Sequence, residues 1–400
     1  MTKRSVIKFG GTSVGDFSKI KNIASYLATR VEKGEELVVV VSAMGKTTDE
    51  LLKNVRMLSK EPDQHDLALL LTTGEQQTIS YLSIALKALG INTKAMTGFQ
   101  AGIKTKGNYM KSKILEVDNN VFEKAFESNN VVVVAGFQGM NEEGELTTLG
   151  RGGSDTTAVA IASSLGTPCE IYTDVAGVYG TDPRLYPAKR LDVVNFEEMM
   201  EMSALGAGVL ETRSVEIAKN YNVPIYLGQT LSNERGTWIM PQEDILEQKA
   251  VTGVALDKDM HYVTFSYPKN DATLLKQLFT QLEKEEINID MISQIVNAEG
   301  LQISFTMKDT DTLELKHIFD TLHQEFAELN YVVKSDYVKV SVIGSGMRDM
   351  SGVASKVFMT LLENDIEFYQ VTTSEISISY VVDKANGVLA VGKLCAVFGL

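Results

Sequence analysis

The sequence predicts an α/β protein: a mostly parallel sheet flanked by helices, followed by a smaller, duplicated region. Three observations carry this. Over the first 240 or so residues, short β-rich runs (Val6-Ile7, Leu37 to Val41, Val131 to Ala135, Glu170 to Tyr172, Val223 to Leu227) alternate with stretches of helical periodicity. In the first such stretch, Phe17, Ile20, Ile23, Leu27 and Val31 recur at steps of three and four, one apolar stripe beginning near Asp16. Beyond residue 250 the pattern changes. The strand-like His261 to Tyr267, helical Asp271 to Glu286, and strand-like Ile287 to Ser293 and Leu301 to Met307 are echoed by Val338 to Ile343, Gly352 to Asn364, Ile366 to Thr372 and Ile376 to Val382. The offset of roughly 75 to 80 residues reads as a duplicated β-α-β-β unit. Two readings of that duplication stand open: lobes that only dimerise, or modules that bind ligands at their mutual interface.

Composition narrows the function. The 400 residues are 44% hydrophobic and 22% charged, with a formal net charge of −14. That balance argues against a general nucleic-acid or anionic-membrane binder, which needs clustered Lys and Arg. The two cysteines, Cys169 and Cys395, make no disulfide framework, and no Cys/His cluster has metal-ligand spacing. No apolar run approaches the roughly 18 residues that span a bilayer. The start of the chain shows no cleavable signal pattern, so a cytoplasmic setting is expected.

Parallel sheets bind ligands beyond the carboxyl ends of their strands, and four motifs fall there. KFGGTSVG (8–15) follows the first run. It is neither a P-loop, because Lys8 precedes the glycines, nor a dinucleotide fingerprint. What remains is a strand ending in a lysine, then Gly10 and Gly11, then a helix, an arrangement that aims an ammonium and backbone amides at one anion or serves as an ordinary turn. In LTTLGRGGSDTTAVAIASSLG (146–166), three glycines surround Arg151, whose planar fork suits a carboxylate or phosphate, and Ser154 or Asp155 is expected to cap the next helix. After the run ending at Thr173-Asp174 comes Asp182-Pro183-Arg184, either a turn starter or, with Asp174, a set for a nucleotide's Mg²⁺, ribose and phosphates. Glu75 in TTGEQQTIS opens a helix, where the macrodipole favours it in any case. None of the four histidines lies in these motifs and neither cysteine is framed by a base, so the inventory suits phosphoryl transfer better than nucleophilic catalysis.

Taken together, KFGGTSVG (8–15), VVVVSAMGKTTDEL (38–51), TTGEQ (72–76), GFQG (136–139), TTLGRGGSDTTA (147–158), YTDVAGVYGTDPR (172–184), NIDMISQ (288–294) and TSEISIS (373–379) resemble the aspartate kinases of the amino-acid kinase family. The resemblance covers nearly the whole chain. It implies a kinase domain over 1–240, a connector over 241–250, and two ferredoxin-like (βαββαβ) ACT modules over 251–335 and 336–400, the latter with a C-terminal return to the first. It implies ATP-dependent phosphorylation of the β-carboxylate of L-aspartate, the first step towards lysine, threonine and methionine, with lysine and/or threonine as feedback effectors. Mg²⁺ is expected through the ATP phosphates, without a side-chain cage. A homodimer or higher oligomer through the ACT units is expected, and a separate regulatory subunit is left open.

Carried over position by position, Lys8, Phe9, Gly10, Gly11, Thr173, Asp174, Tyr179, Asp182 and Arg184 correspond to the ATP site. Thr48, Glu75, Arg151, Gly152, Gly153, Ser154 and Asp155 correspond to the aspartate site, with Lys8, Arg151 and Asp155 catalytic. Arg151 would pair with a substrate carboxylate, and Glu75 or Asp155 would meet its ammonium. Asp290, Gln294, Ser374 and Glu375 correspond to effector sites. There are departures. Tyr267 to Asp271 replaces a Pro-Gly turn, Phe368-Tyr369-Gln370 replaces smaller or aliphatic residues, and Gly208 in LGAGVLETRSVE (205–216) stands where some relatives carry a nucleotide-contacting lysine. A kinase of glutamate or acetylglutamate, and a non-catalytic amino-acid sensor, are the rival readings.

Overall fold

A computed structural model describes residues 3–241, 249–348 and 350–400, so most of the expected connector lies outside the described residues. The chain divides into two compact units. The first holds the chain up to Tyr179, Arg190–Ala204, and the residues from Gly208 to the connector; the second holds Gly180–Lys189, Leu205–Ala207, and the chain from the connector to Leu400.

The first unit is built on an eight-stranded sheet in the spatial order Val193–Asn195, Thr237–Met240, Ile225–Gln229, Cys169–Thr173, Lys3–Phe9, Glu35–Val41, Val131–Ala135, Thr93–Met96. Every pairing is parallel except that of Ile225–Gln229 with Thr237–Met240. The valine runs take the centre because both faces are covered: Val38 to Val41 and Val131 to Val134 are all fully buried. The helix Phe17–Glu32 starts at Asp16, whose side chain accepts from the Lys19 amide, and it buries Ile20, Ile23 and Leu27 as the stripe requires. Phe17 departs from the stripe. It sits at the first helical position, 59% exposed, with its ring edge-on to Tyr81. A second, four-stranded sheet of short strands (Ile103–Lys106, Lys113–Val117, Gln138–Met140, Leu146–Thr148) is an addition to the pattern legible in the sequence.

Because the central strands run parallel in matched register, Phe9 lies beside both Val41 and Tyr172, and Gln229 beside Thr173. The segments that follow these strands therefore emerge along one edge of the sheet.

The second unit contains two modules. Met260–Tyr267, helix Ala272–Lys284, Ile289–Asn297, Gly300–Lys308, helix Thr312–Glu325 and Asn330–Lys334 form a complete βαββαβ unit. Among the described residues the second module has three strands after residue 336: Tyr337–Ile343, Phe368–Thr373 and Ser377–Asp383. Its fourth is Gly253–Asp257, which pairs antiparallel with Tyr337–Ile343. Residues 253–257, expected within the first module, thus join the sheet of the second. The chain lends a strand forward to the second module, and the C-terminal helix Gly387–Phe398 packs against that strand and against Tyr337–Ile343. The reason is burial: Val254 shares a core with Val340, Val342, Leu394 and Tyr380, and without it the edge of Tyr337–Ile343 would stand unpaired.

A fragment spanning residues 258–335 should fold alone. A fragment spanning 336–400 should stay unfolded unless residues 249–257 are fused to it. Amide dispersion in NMR spectra of the fragments checks this, and a well-dispersed 336–400 fragment would contradict it.

Candidate active site

Lys8 occupies the penultimate position of its strand, 8% exposed, between two parallel neighbours. Its ammonium lies 2.6 Å from Oδ1 of Asp155. Asp155 stands in the first turn of the helix Gly153–Leu165. That helix is not capped by Ser154 or Asp155 as expected. Gly152 is the cap, in the left-handed conformation that a glycine adopts without strain, and this frees the Asp155 side chain for Lys8. Gly136 makes room as well, since a Cβ there would lie 2.7 Å from the Ser154 hydroxyl oxygen.

The turn after Lys8 is held on two sides. The Gly10 amide donates to the Tyr172 carbonyl, and the Gly45 amide donates to the Gly11 carbonyl. A Cβ on Gly11 would come within 2.9 Å of the Ala43 carbonyl oxygen, so the turn wedges against the segment after the second strand. Phe9 contributes only backbone to such a site, because its ring is fully buried and stacked on Tyr172. On the far side, Thr230 donates from both its amide and its hydroxyl to the Thr173 carbonyl. The hydroxyls of Ser13 and Thr230 lie 2.6 Å apart, which ties the turn to the strand carrying exposed Asp174. Four strand ends thus present one continuous backbone cradle.

Glu75 is 3% exposed. One carboxylate oxygen accepts from the Ala43 amide, and the other is buried without a partner. Burial pushes its pKa up to about 7, against a partial lowering by its backbone hydrogen bonds. The contact with Ala43 connects Glu75 to Gly11. Thr48, half-buried, lies in the first turn of the helix Thr47–Leu58 that leaves the same segment.

Arg151 is exposed between Gly150 and Gly152, both at positive φ, and has no hydrogen bond or ion pair to any described residue. Its donors are free. Gly153 fits only as glycine, a Cβ there lying 2.9 Å from the Phe137 ring. The expected nucleotide set draws on both compact units. Thr173, Asp174 and Tyr179 belong to the first unit, Asp182 and Arg184 to the second. Asp182 holds Arg184 at 2.7 Å, and that guanidinium keeps its carboxyl below the usual range.

The expected effector residues also divide. Ser374 and Glu375 line a cleft of about 520 Å³ in the second module together with Met347, Arg348 and Thr373. Asp290 instead pairs at 2.7 Å with Lys339, whose side chain is 6% exposed. Gln294 is exposed on the same strand as Asp290, away from that cleft's lining. The departing Gln370 donates to the Met291 carbonyl and joins the two modules.

One residue escaped the sequence reading. Arg213, in the first turn of the helix Thr212–Asn220, donates to the carbonyls of Leu149 and Ser112 at 3.0 Å each. A cation at a helix N-terminus opposes the macrodipole, and that misplacement was the available signal.

The fold and this cradle define a kinase built on a parallel sheet, and comparison with known proteins agrees. The amino acid kinase family model matches residues 3–229, and an ACT domain model matches residues 340–398. The aspartokinase of Geobacillus stearothermophilus is 42% identical over 398 residues, covering 99% of this chain and 97% of its own. A crystal structure of aspartate kinase from Synechocystis is 36% identical with a TM-score of 0.55, covering 99% of this chain and 69% of that one. E. coli aspartokinase III, in complex with aspartate and ADP, shares the fold at a TM-score of 0.80 and 22% identity, with full coverage of both chains. The chain belongs to the aspartokinases of the amino acid kinase family. It is an ATP-using aspartate kinase of amino-acid biosynthesis. Among the described residues no helix is long and apolar enough to cross a membrane.

The raised pKa of Glu75 has a stability consequence. The folded state holds the proton between about pH 4.5 and 7 while the unfolded state has released it, so the cost of ionising Glu75 is absent below that window and complete above it. Glu75→Gln should therefore stabilise the protein at pH 8 by on the order of 3 kcal/mol, and the gain should shrink towards pH 5. Thermal unfolding at the two pH values checks this.

Proposed function

We propose that the enzyme transfers the γ-phosphoryl group of ATP to the β-carboxylate of L-aspartate, giving 4-phospho-L-aspartate. The observation that carries this reading is the buried Lys8–Asp155 pair beside the glycine turn, together with a buried carboxylate oxygen without a partner on Glu75 and the unpaired guanidinium of Arg151. The aspartate β-carboxylate has a pKa of about 3.9 in water, so at pH 7 it is already a nucleophile and needs no base. Its oxygen forms the bond to the γ-phosphorus as the bond to ADP breaks, and no proton moves. The requirement is positive potential where two anions meet.

Lys8 supplies that potential at the transferring phosphates, and Asp155 holds it in place. The backbone of Phe9, Gly10 and Gly11 cradles the phosphates, with Thr173, Asp174 and Tyr179 on the nucleotide side. Asp182 and Arg184 complete the nucleotide set by resemblance alone, since the structure shows them paired with each other. Arg151 takes a substrate carboxylate. With Asp155 engaged by Lys8, Glu75 is the acceptor for the substrate ammonium, and Thr48, Gly152, Gly153 and Ser154 line the same pocket. The exposed carboxylate of Asp174 at a strand end fits a Mg²⁺ that arrives with ATP and keeps most of its water. That ion would neutralise phosphate charge.

The reading extends to regulation. Lysine and/or threonine would act as feedback effectors through the ACT modules, and two or more copies would associate through them, in a cytoplasmic setting. In the cleft at Ser374 and Glu375 the Glu375 carboxylate is paired with Arg348 at 3.0 Å, so an effector's ammonium would have to displace that guanidinium. A ligand using Asp290 would have to displace Lys339.

Hydroxylamine trapping of the acyl phosphate with aspartate, glutamate and N-acetylglutamate tests the reading. Aspartate should be the acceptor, with turnover falling when lysine, threonine or both are added; preferred turnover of either other acid would overturn the assignment. Arg151→Ala should lower kcat/KM for aspartate by about 10²- to 10³-fold with an unchanged Tm. Wild-type kcat/KM for aspartate should fall below about pH 7 as Glu75 takes up its proton, and Glu75→Gln should lose that acid limb.

A further inference from the structure

The Gly150–Gly152 turn presents Arg151 to solvent and packs no core of its own, yet it is anchored at both ends by one short segment, Glu211–Arg213. At the near end, the Leu149 amide donates to the Phe137 carbonyl at 2.8 Å, and the Leu149 carbonyl accepts from Arg213 at 3.0 Å. At the far end, a Cβ on Gly152 would lie 2.4 Å from the Cβ of Glu211, so the turn is seated directly on that side chain. The second arm of the Arg213 fork reaches the Ser112 carbonyl at 3.0 Å. Ser112 is itself fixed, since both its amide and its hydroxyl donate to the Thr148 carbonyl.

Arg213 is placed against its own interest. It is half-buried in a first helical turn, no carboxylate stands within ion-pair range among the described residues, and burial lowers its pKa. A neutral side chain would cost less there. What only a guanidinium provides is a rigid planar fork that spans two carbonyls at once.

We propose that Arg213 is a positioning residue for the aspartate kinase reaction: by clamping the carbonyls of Leu149 and Ser112 while Glu211 seats Gly152, it fixes the turn so that Arg151 meets the substrate carboxylate in one orientation. The inference rests on the reading of Arg151 as the carboxylate-binding group, and it adds the residue that sets that group's aim.

Steady-state kinetics of the full chain test it, using Arg213→Ala, Arg213→Lys, Arg151→Ala and the double variant Arg151→Ala/Arg213→Ala. Arg213→Ala should raise KM for aspartate about 10- to 100-fold while leaving KM for ATP within about twofold. Guanidinium chloride at non-denaturing concentration should restore part of the loss. Arg213→Lys keeps the charge but loses the fork, so it should stay folded and remain impaired, and it carries the test if Arg213→Ala fails to fold. In the Arg151→Ala background, Arg213→Ala should add less than about twofold, because the two side chains act through one turn. A lowered Tm with unchanged aspartate KM in both Arg213 variants would overturn the positioning role alone. An unchanged aspartate KM in Arg151→Ala would overturn the substrate reading of Arg151 and this inference with it.

Discussion

The ion pair between Lys8 and Asp155 is the constraint on which the first unit's architecture depends. It joins the end of a central strand to the first turn of a helix far along the chain, and both side chains are largely removed from water. A buried pair stabilises little in itself, since desolvation offsets most of the attraction, so its value is specificity of placement. Around it, glycine is required wherever backbone must approach: at Gly11 against Ala43, at Gly136 against Ser154 and at Gly152 against Glu211. An ammonium is thereby held at the mouth of a backbone cradle formed by four strand ends.

That placement suits chemistry between anions in a chain whose net charge is −14. Positive potential has to be local, and it is drawn from Lys8, from the helix terminus beside it and from Arg151. Glu75 has the opposite character. It is a carboxylate kept dry with one oxygen unpartnered, an arrangement that costs stability when ionised and is relieved by a proton or by a cationic partner. Such a group fits a site waiting for an ammonium better than it fits a core.

Much of this was legible in the sequence. Runs such as Val38 to Val41 and Val131 to Ala135 can only be buried strands, and the stripe of Ile20, Ile23 and Leu27 can only be a helix face. The glycine motifs marked the strand ends because close backbone approach leaves that trace. Partnerships were less legible. That Asp155 would turn to Lys8 and give up capping its helix depends on Gly152 taking the cap. That Gly253–Asp257 would complete the second module depends on an unpaired edge created some eighty residues later. Asp182 and Arg184 read as nucleotide ligands from their place after a strand and from resemblance, and the ion pair between them carried no trace in that reading. The four short strands around Gln138 and Leu146 carry too few residues for periodicity to register.

In the second unit both candidate effector carboxylates already have cationic partners: Asp290 is held by Lys339 from the neighbouring module, and Glu375 by Arg348 at 3.0 Å within its own cleft. The most direct test of the account's central claim is a kinetic double-mutant cycle on Lys8→Met and Asp155→Asn, followed by single-turnover transfer from ATP to aspartate. The account predicts that each change alone slows phosphoryl transfer by about 10²-fold or more and that the pair together is little worse than Lys8→Met. Wild-type transfer in Lys8→Met, or losses that simply add, would contradict it.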